Sequence, residues 1–157
     1  DISTQAGTLA LLPQVCQAVD LPVIAAGGIA SRAGVEAALA LGAAGVQVGT
    51  AFLLCPEAKT SPLHRAAIAS DASRHTAITN VFSGRPARGI VNRLIREIGP
   101  MSPLSPPFPT AGGPVAPLRA AAELRGSYDF TPLWCGQNAT GCLEIPAAEL
   151  LRSLSVG

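Results

Sequence analysis

Charge is scarce in this 157-residue chain. Asp, Glu, Lys and Arg together make up 13% of it, roughly half the usual quarter. Lysine is nearly missing: Lys59 stands alone beside ten arginines. Low charge together with 48% hydrophobic residues excludes a disordered chain, which needs the opposite balance. A formal net charge of +1 excludes a global field that would gather nucleic acid or an acidic membrane surface. Aromatics are only 4%, so the stacking platforms of a single-strand binder are missing too.

Cysteines are few: Cys16, Cys55, Cys135 and Cys142. None are spaced C-x-x-C, and neither His64 nor His75 stands at a zinc-ligand offset from one. Metal-site and disulfide-scaffold readings fail, leaving reduced thiols of a cytoplasmic protein as the expectation. No basic region leads into an apolar run, so no secretory signal is expected. One uncharged stretch, Ala37 to Pro56, spans 20 residues. Gly42, Gly45, Gln47, Gly49 and Thr50 interrupt it, so a helix end and a short strand are expected there, not a membrane span.

Glycine and proline are plentiful, at 16 and 14 residues. The length suits about one domain. Between its turns the chain alternates in type. Leu9, Leu12, Val15, Cys16 and Val19 recur at helical steps, so Thr8 to Val19 reads as a helix; Pro13 inside it leaves room for the regular helix to begin there, with Leu9 to Leu12 as a preceding turn. Leu21 to Ala26 is a short apolar run suited to a strand buried on both faces. Ser31 is a candidate N-cap for a helix over 32–41, with Val35, Ala38 and Leu39 inward and Gly42 as its stop. Gly45 to Gly49 is the next strand. Helix, strand, helix, strand predicts βαβ units and an α/β fold with a parallel sheet. Further on, Pro62 to Ala69 predicts a helix, Thr76 to Phe82 an extended segment, and Gly84 to Pro86 a turn. Ile90 to Ile98 predicts an amphipathic helix with an Arg93–Glu97 pair. Residues 99–118 carry no charge and seven prolines, predicting an irregular connector. Helices are expected again over 116–124 and 146–154.

Both predicted strands end in glycine: Gly27-Gly28 after the first, Gly49-Thr50 after the second. In parallel α/β folds ligands bind at that edge. Glycine lets backbone approach a ligand, and N–H groups leading into a helix favour an anion. The Thr50 hydroxyl adds a donor. Two such loops, one βαβ unit apart, make a candidate cup for a phosphate or a phosphate-bearing cofactor. The pattern is not the dinucleotide fingerprint, because the next glycine after Gly28 is Gly34.

From Arg65 to Glu97 six arginines face Asp71 and Glu97; salt bridges and a solvated face explain them without nucleic acid. His64 and His75, each beside an arginine, read as surface residues. No Ser-His-Asp order, paired carboxylates or metal cluster appears in the sequence, and no residue is assigned as catalytic.

The stretches Thr8–Val15, Pro22–Ile29 and Ala38–Phe52, with Phe82–Arg88 and Trp134–Gln137, resemble the nitronate monooxygenase family, FMN-dependent TIM-barrel enzymes. The resemblance implies the C-terminal portion of a (β/α)8 barrel: strands seven and eight over residues 1–60, then helices, a Pro-rich loop and a cap of the same domain over 61–157. It implies FMN held at Gly27, Gly28, Gln47, Val48, Gly49 and Thr50, with Gly27 serving the turn. It also implies oxidation of an alkyl nitronate with O2, and no nucleic-acid or membrane partner. The family's catalytic histidine follows strand six, and neither His64 nor His75 matches it; the chain is therefore expected to be a fragment lacking that residue. Two alternatives remain open: an FMN-dependent enoyl-acyl-carrier-protein reductase-like barrel, and a non-catalytic flavin- or phosphate-binding remnant.

Overall fold

A computed structural model describes residues 2–156. The chain divides into two compact units. One runs up to Ala58 and takes in the chain again from Thr140; the other is Lys59–Ala139.

The first unit is built on one βαβ motif. Helix α1 (Thr8–Ala18) precedes strand β1 (Ile24–Ala26), helix α2 (Arg32–Ala40) and strand β2 (Gly45–Gln47). The strands pair in parallel, Ile24 with Gly45, Ala25 with Val46 and Ala26 with Gln47. Helix α6 (Ala147–Leu154) returns to this unit and packs on α2. Leu12, Ala25, Val35, Ala38, Ala51, Leu150 and Leu154 form the core between strands and helices.

Two expectations for this unit are corrected. Helix α1 spans Thr8–Ala18, close to the stretch its apolar spacing predicts, but it is continuous through Pro13 and does not begin there. The missing proline N–H forfeits only one bond, to the Leu9 carbonyl, and the Gln14 side chain adds one to the Ala10 carbonyl at 2.7 Å. Strand β1 is not buried on both faces: Ala25 is buried, but Ile24 is 55% exposed and Ala26 is exposed. Side chains alternate across a strand, and only the Ala25 side reaches the core. Leu9, Val19 and Leu39 also stay exposed, leaving Leu12, Val35 and Ala38 as the inward positions. Ser31 caps α2 as its spacing predicts, accepting from the Gly34 N–H at 3.2 Å, which is worth about 1 kcal/mol. Gly42 follows the helix at φ +100°, a conformation that glycine adopts at no steric cost.

The second unit holds helix α3 (Pro62–Ala69), strands β3 (Thr76–Thr79) and β4 (Ala87–Ile90), and helices α4 (Arg93–Ile98) and α5 (Gly112–Glu123). Ser61 caps α3 through the His64 N–H. The strands form an antiparallel hairpin, Thr76 opposite Ile90 and Thr79 opposite Ala87. Ile90 therefore belongs to a strand, not to the helix its apolar spacing suggests. Asn92 resets the chain by accepting from the Ile95 N–H at 3.3 Å, and α4 starts after it. The Arg93–Glu97 pair forms at 2.7 Å. The Pro-rich connector is irregular only as far as Ala111; α5 begins at Gly112 and runs through Pro117. Val81, Leu94 and Ile95 form one buried cluster of this unit, with Phe82, Val91, Val115 and Phe130 against it, and Ile68, Ile90 and Leu133 are buried too.

Candidate functional site: two glycine loops at one strand edge

The register of β1 and β2 sets the geometry. Ala26 and Gln47 are the last residues of their strands and lie directly opposite each other. The chain leaves both strands at the same edge, so Gly27-Gly28 and Val48-Gly49-Thr50 emerge side by side. This is the carboxyl edge, where open α/β sheets and barrels take their ligands.

The glycines differ in purpose. Gly27 has φ +109°, and a Cβ there would meet Thr8 Oγ1 at 2.9 Å. The Thr8 hydroxyl lies 3.4 Å from the Ala26 carbonyl, to which it donates, so the start of α1 closes on this turn and excludes a side chain. Gly28 has φ +74°, yet an added Cβ would meet nothing within 4 Å. Gly49 likewise has open space beside it. Gly28, Gln47 and Gly49 are exposed, and Val48 and Thr50 are half-buried. Thr50 opens a short 3-10 turn, Thr50–Leu54, whose Ala51 and Leu54 are buried. Behind it the Cys142 thiol donates to the Thr50 carbonyl at 3.2 Å. One face of the 50–54 turn is thus anchored in the core, while Gly28 and Gly49 leave open space where a side chain would stand. Such a surface suits a bulky anion that needs close main-chain approach.

The two histidines part company. His75 is exposed as expected. His64 is not a surface residue: it is half-buried, and its Nε2 donates to the Trp134 carbonyl at 3.0 Å. Burial pulls its pKa below the usual imidazole value, partly offset by that hydrogen bond. The signal was present locally, since His64 precedes the buried Ile68 by one helical repeat and shares its face. Its partner, 70 residues away, leaves no trace in the sequence. Trp134 also meets Phe82 edge-to-face, with ring centroids 5.9 Å apart. All four cysteines are free thiols, and burial raises the pKa of Cys135. Among the described residues no cluster of His, Cys, Asp or Glu could hold a metal ion. No helix among them is long and apolar enough to cross a membrane.

A parallel βαβ unit with two glycine loops at its carboxyl edge makes this an α/β protein. The family profile for nitronate monooxygenase matches residues 1–157, and the chain belongs to that family. It is 45% identical over 149 residues to the nitronate monooxygenase of Pseudomonas aeruginosa, and 40% identical over 149 residues to a probable nitronate monooxygenase of Bacillus subtilis. Each match takes in 94% of this chain but only 42% and 43% of the relative. The crystal structure of nitroalkane oxidase from Streptomyces ansochromogenes superposes with a TM-score of 0.89 at 41% identity. That match covers 98% of this chain and 44% of the oxidase. FabK from Thermotoga maritima superposes at 0.70 with 30% identity, over 96% of this chain and 48% of FabK. The chain thus spans less than half the length of each of these relatives.

Proposed function

We propose that this chain supplies the FMN-phosphate-holding part of a TIM-barrel enzyme that oxidises alkyl nitronates with O2. The observation that carries the reading is the Ala26–Gln47 register, which brings Gly28 and Gly49-Thr50 to one edge with open space beside both glycines. The residues fit a flavin phosphate. Gly28 and Gly49 offer main chain without side chains, Thr50 offers a hydroxyl, and Gln47 and Val48 lead the second loop to the edge. Gly27 keeps the first turn tight against Thr8.

In the barrel, β1 and β2 correspond to strands seven and eight. Residues 1–60 carry the phosphate loops, and 61–157 complete the same catalytic body. When bound, FMN supplies the electron-accepting chemistry that nitronate oxidation requires. The work of this chain is positional: two loops fixed by strand register and by the buried side of the 50–54 turn hold the cofactor's charged end in one place. Preorganised backbone contacts of this kind need no rearrangement when the ligand arrives. No residue of the chain is assigned an acid–base role. Four free thiols suit a cytoplasmic setting.

A FabK-like enoyl-thioester reductase is the second reading, favoured by that neighbour's TM-score of 0.70. The higher score and identity of the nitroalkane oxidase place it behind the first. A chimera tests both: residues 1–157 replace the matched stretch of the P. aeruginosa relative. Nitronate-dependent O2 consumption by the chimera supports the proposal. NADPH consumption with an enoyl thioester, and none of O2 with nitronate, supports the reductase. Flavin retained with neither activity identifies a non-catalytic binding remnant.

A further inference from the structure

The second unit carries a cleft of about 670 Å3 that the flavin reading does not use. Its walls come from three stretches of that unit: Ala72 and His75, then Val91 and Arg96, then Gly126 to Asp129. Internal bonds hold these walls together. The Val91 N–H donates to the His75 carbonyl at 2.8 Å, and the Leu94 N–H to the Asp129 carbonyl at 3.1 Å. Asn92, fully buried, donates to the Tyr128 carbonyl at 3.1 Å and the Thr131 carbonyl at 2.9 Å. The cleft is therefore a preformed feature of the unit, and its volume lies in the range of small-molecule sites.

Two of the polar heads that line it, those of Arg96 and Tyr128, are not consumed by the fold, whereas the Ser127 hydroxyl accepts from the Asp129 N–H at 3.2 Å. Arg32, Arg74, Arg93 and Arg119 each pair with a carboxylate three or four residues away. Arg96 has Asn92, Arg93, Gly99 and Pro100 at those offsets, so it has no local acid. Among the described residues the Arg96 guanidinium and the Tyr128 hydroxyl make no hydrogen bond or ion pair. The carboxylate in the cleft, Asp129, lies within electrostatic reach of Arg93, which also bonds Glu97 at 2.7 Å. Within the cleft, Arg96, an exposed residue, is thus a cation without a carboxylate partner, beside an apolar wall of Ala72, Val91 and Tyr128.

We propose that this cleft is a binding site for a small aromatic carboxylate. The carboxylate pairs with the planar guanidinium of Arg96, a geometry that permits two parallel hydrogen bonds. The ring lies against Val91 and Tyr128, and the Ser127 hydroxyl and His75 imidazole complete the rim. The site uses none of the residues assigned to FMN, so its failure and the failure of the flavin reading are separate events.

The test titrates benzoate into the 15N-labelled full chain and follows amide shifts. Saturable shifts confined to residues around 72–75, 91–96 and 126–129 are expected. Arg96→Gln is expected to weaken binding by about tenfold or more, while Arg74→Gln, an exposed arginine outside the cleft, leaves it unchanged. Arg96→Lys, which keeps the charge without the fork, falls between them. Benzyl alcohol, the same ring without the charge, binds about tenfold more weakly than benzoate. Absence of saturable shifts up to about 10 mM benzoate, equal loss in the Arg96 and Arg74 variants, or equal binding of benzyl alcohol overturns the proposal.

Discussion

Asn80 and Ser102 bind each other twice. The Asn80 side-chain amide donates to the Ser102 carbonyl at 3.0 Å, and the Ser102 N–H donates to Asn80 Oδ1 at 3.0 Å. The Ser105 hydroxyl adds a third bond, to the Asn80 carbonyl at 2.9 Å. The charge-free, proline-rich connector has no helix or sheet of its own before α5, and these bonds tie it to the end of β3. Asn80→Ala removes the reciprocal pair and leaves the Ser102 amide without its partner. A loss of about 1–3 kcal/mol in stability is expected, measured by urea unfolding. Faster proteolytic cleavage within 100–110 should accompany it.

Gly84 sits under the same connector. A Cβ there would meet the Pro107 carbonyl carbon at 2.6 Å and the Pro106 oxygen at 2.7 Å, and the residue has φ +84°. Gly84→Ala combines strained backbone with an overpacked contact, for a loss of about 2–4 kcal/mol. Gly126→Ala is the control: φ is +73° there but nothing lies within 4 Å, so about 1 kcal/mol is expected. Equal losses at the two sites would show that the connector does not press on Gly84.

His64 makes stability depend on pH in one direction. Its pKa is lowered in the folded chain, chiefly by burial, so the unfolded state takes up its proton first as pH falls. Its contribution is complete above the ordinary imidazole value and is lost as pH drops from about 6.5 toward the folded pKa. The slope approaches about 1.4 kcal/mol per pH unit at most. His64→Gln, which keeps a donor for the Trp134 carbonyl, should flatten the profile in that window. An unchanged profile in the variant would assign the dependence elsewhere.

In the proposed flavin cup, three substitutions should give three different results. Gly28→Val fills open space and strains φ +74°, and is expected to abolish FMN retention by the chimera. Thr50→Val keeps the shape but removes the hydroxyl, and should weaken FMN by about five- to twentyfold. Gly27→Val collides with Thr8 and should lower the melting temperature even without flavin. Fluorescence quenching for the first two and calorimetry for the third are the measurements.

The parts of this fold that were legible are those governed by neighbours in the chain. Ser31 announces its helix through a bond three residues on, and Gly42 ends that helix by its own conformational freedom. The strand-end glycines were visible for the same reason. What escaped was decided at long range. Residues Ala87–Ile90 show no alternation, yet they pair with β3 and with the backbone around Trp134. Gly89 permits that approach: a Cβ there would meet the Leu133 oxygen at 3.0 Å. Ile90 faces the core from a strand while imitating the periodicity of α4. Pro13 looked like a late start for its helix. A proline in a helix removes one bond, which the surrounding helix can outweigh, and Leu12 beside it is buried.

The central claim is that the two glycine loops recognise the phosphate of FMN. The direct measurement compares FMN with riboflavin, which differs only by that phosphate, in fluorescence titrations of the chimera. The account predicts tight FMN binding, riboflavin weaker by about a hundredfold or more, and loss of that difference in Gly28→Val. Equal affinity for the two flavins would contradict it, because the cup between Gly28 and Thr50 would then not be the phosphate site.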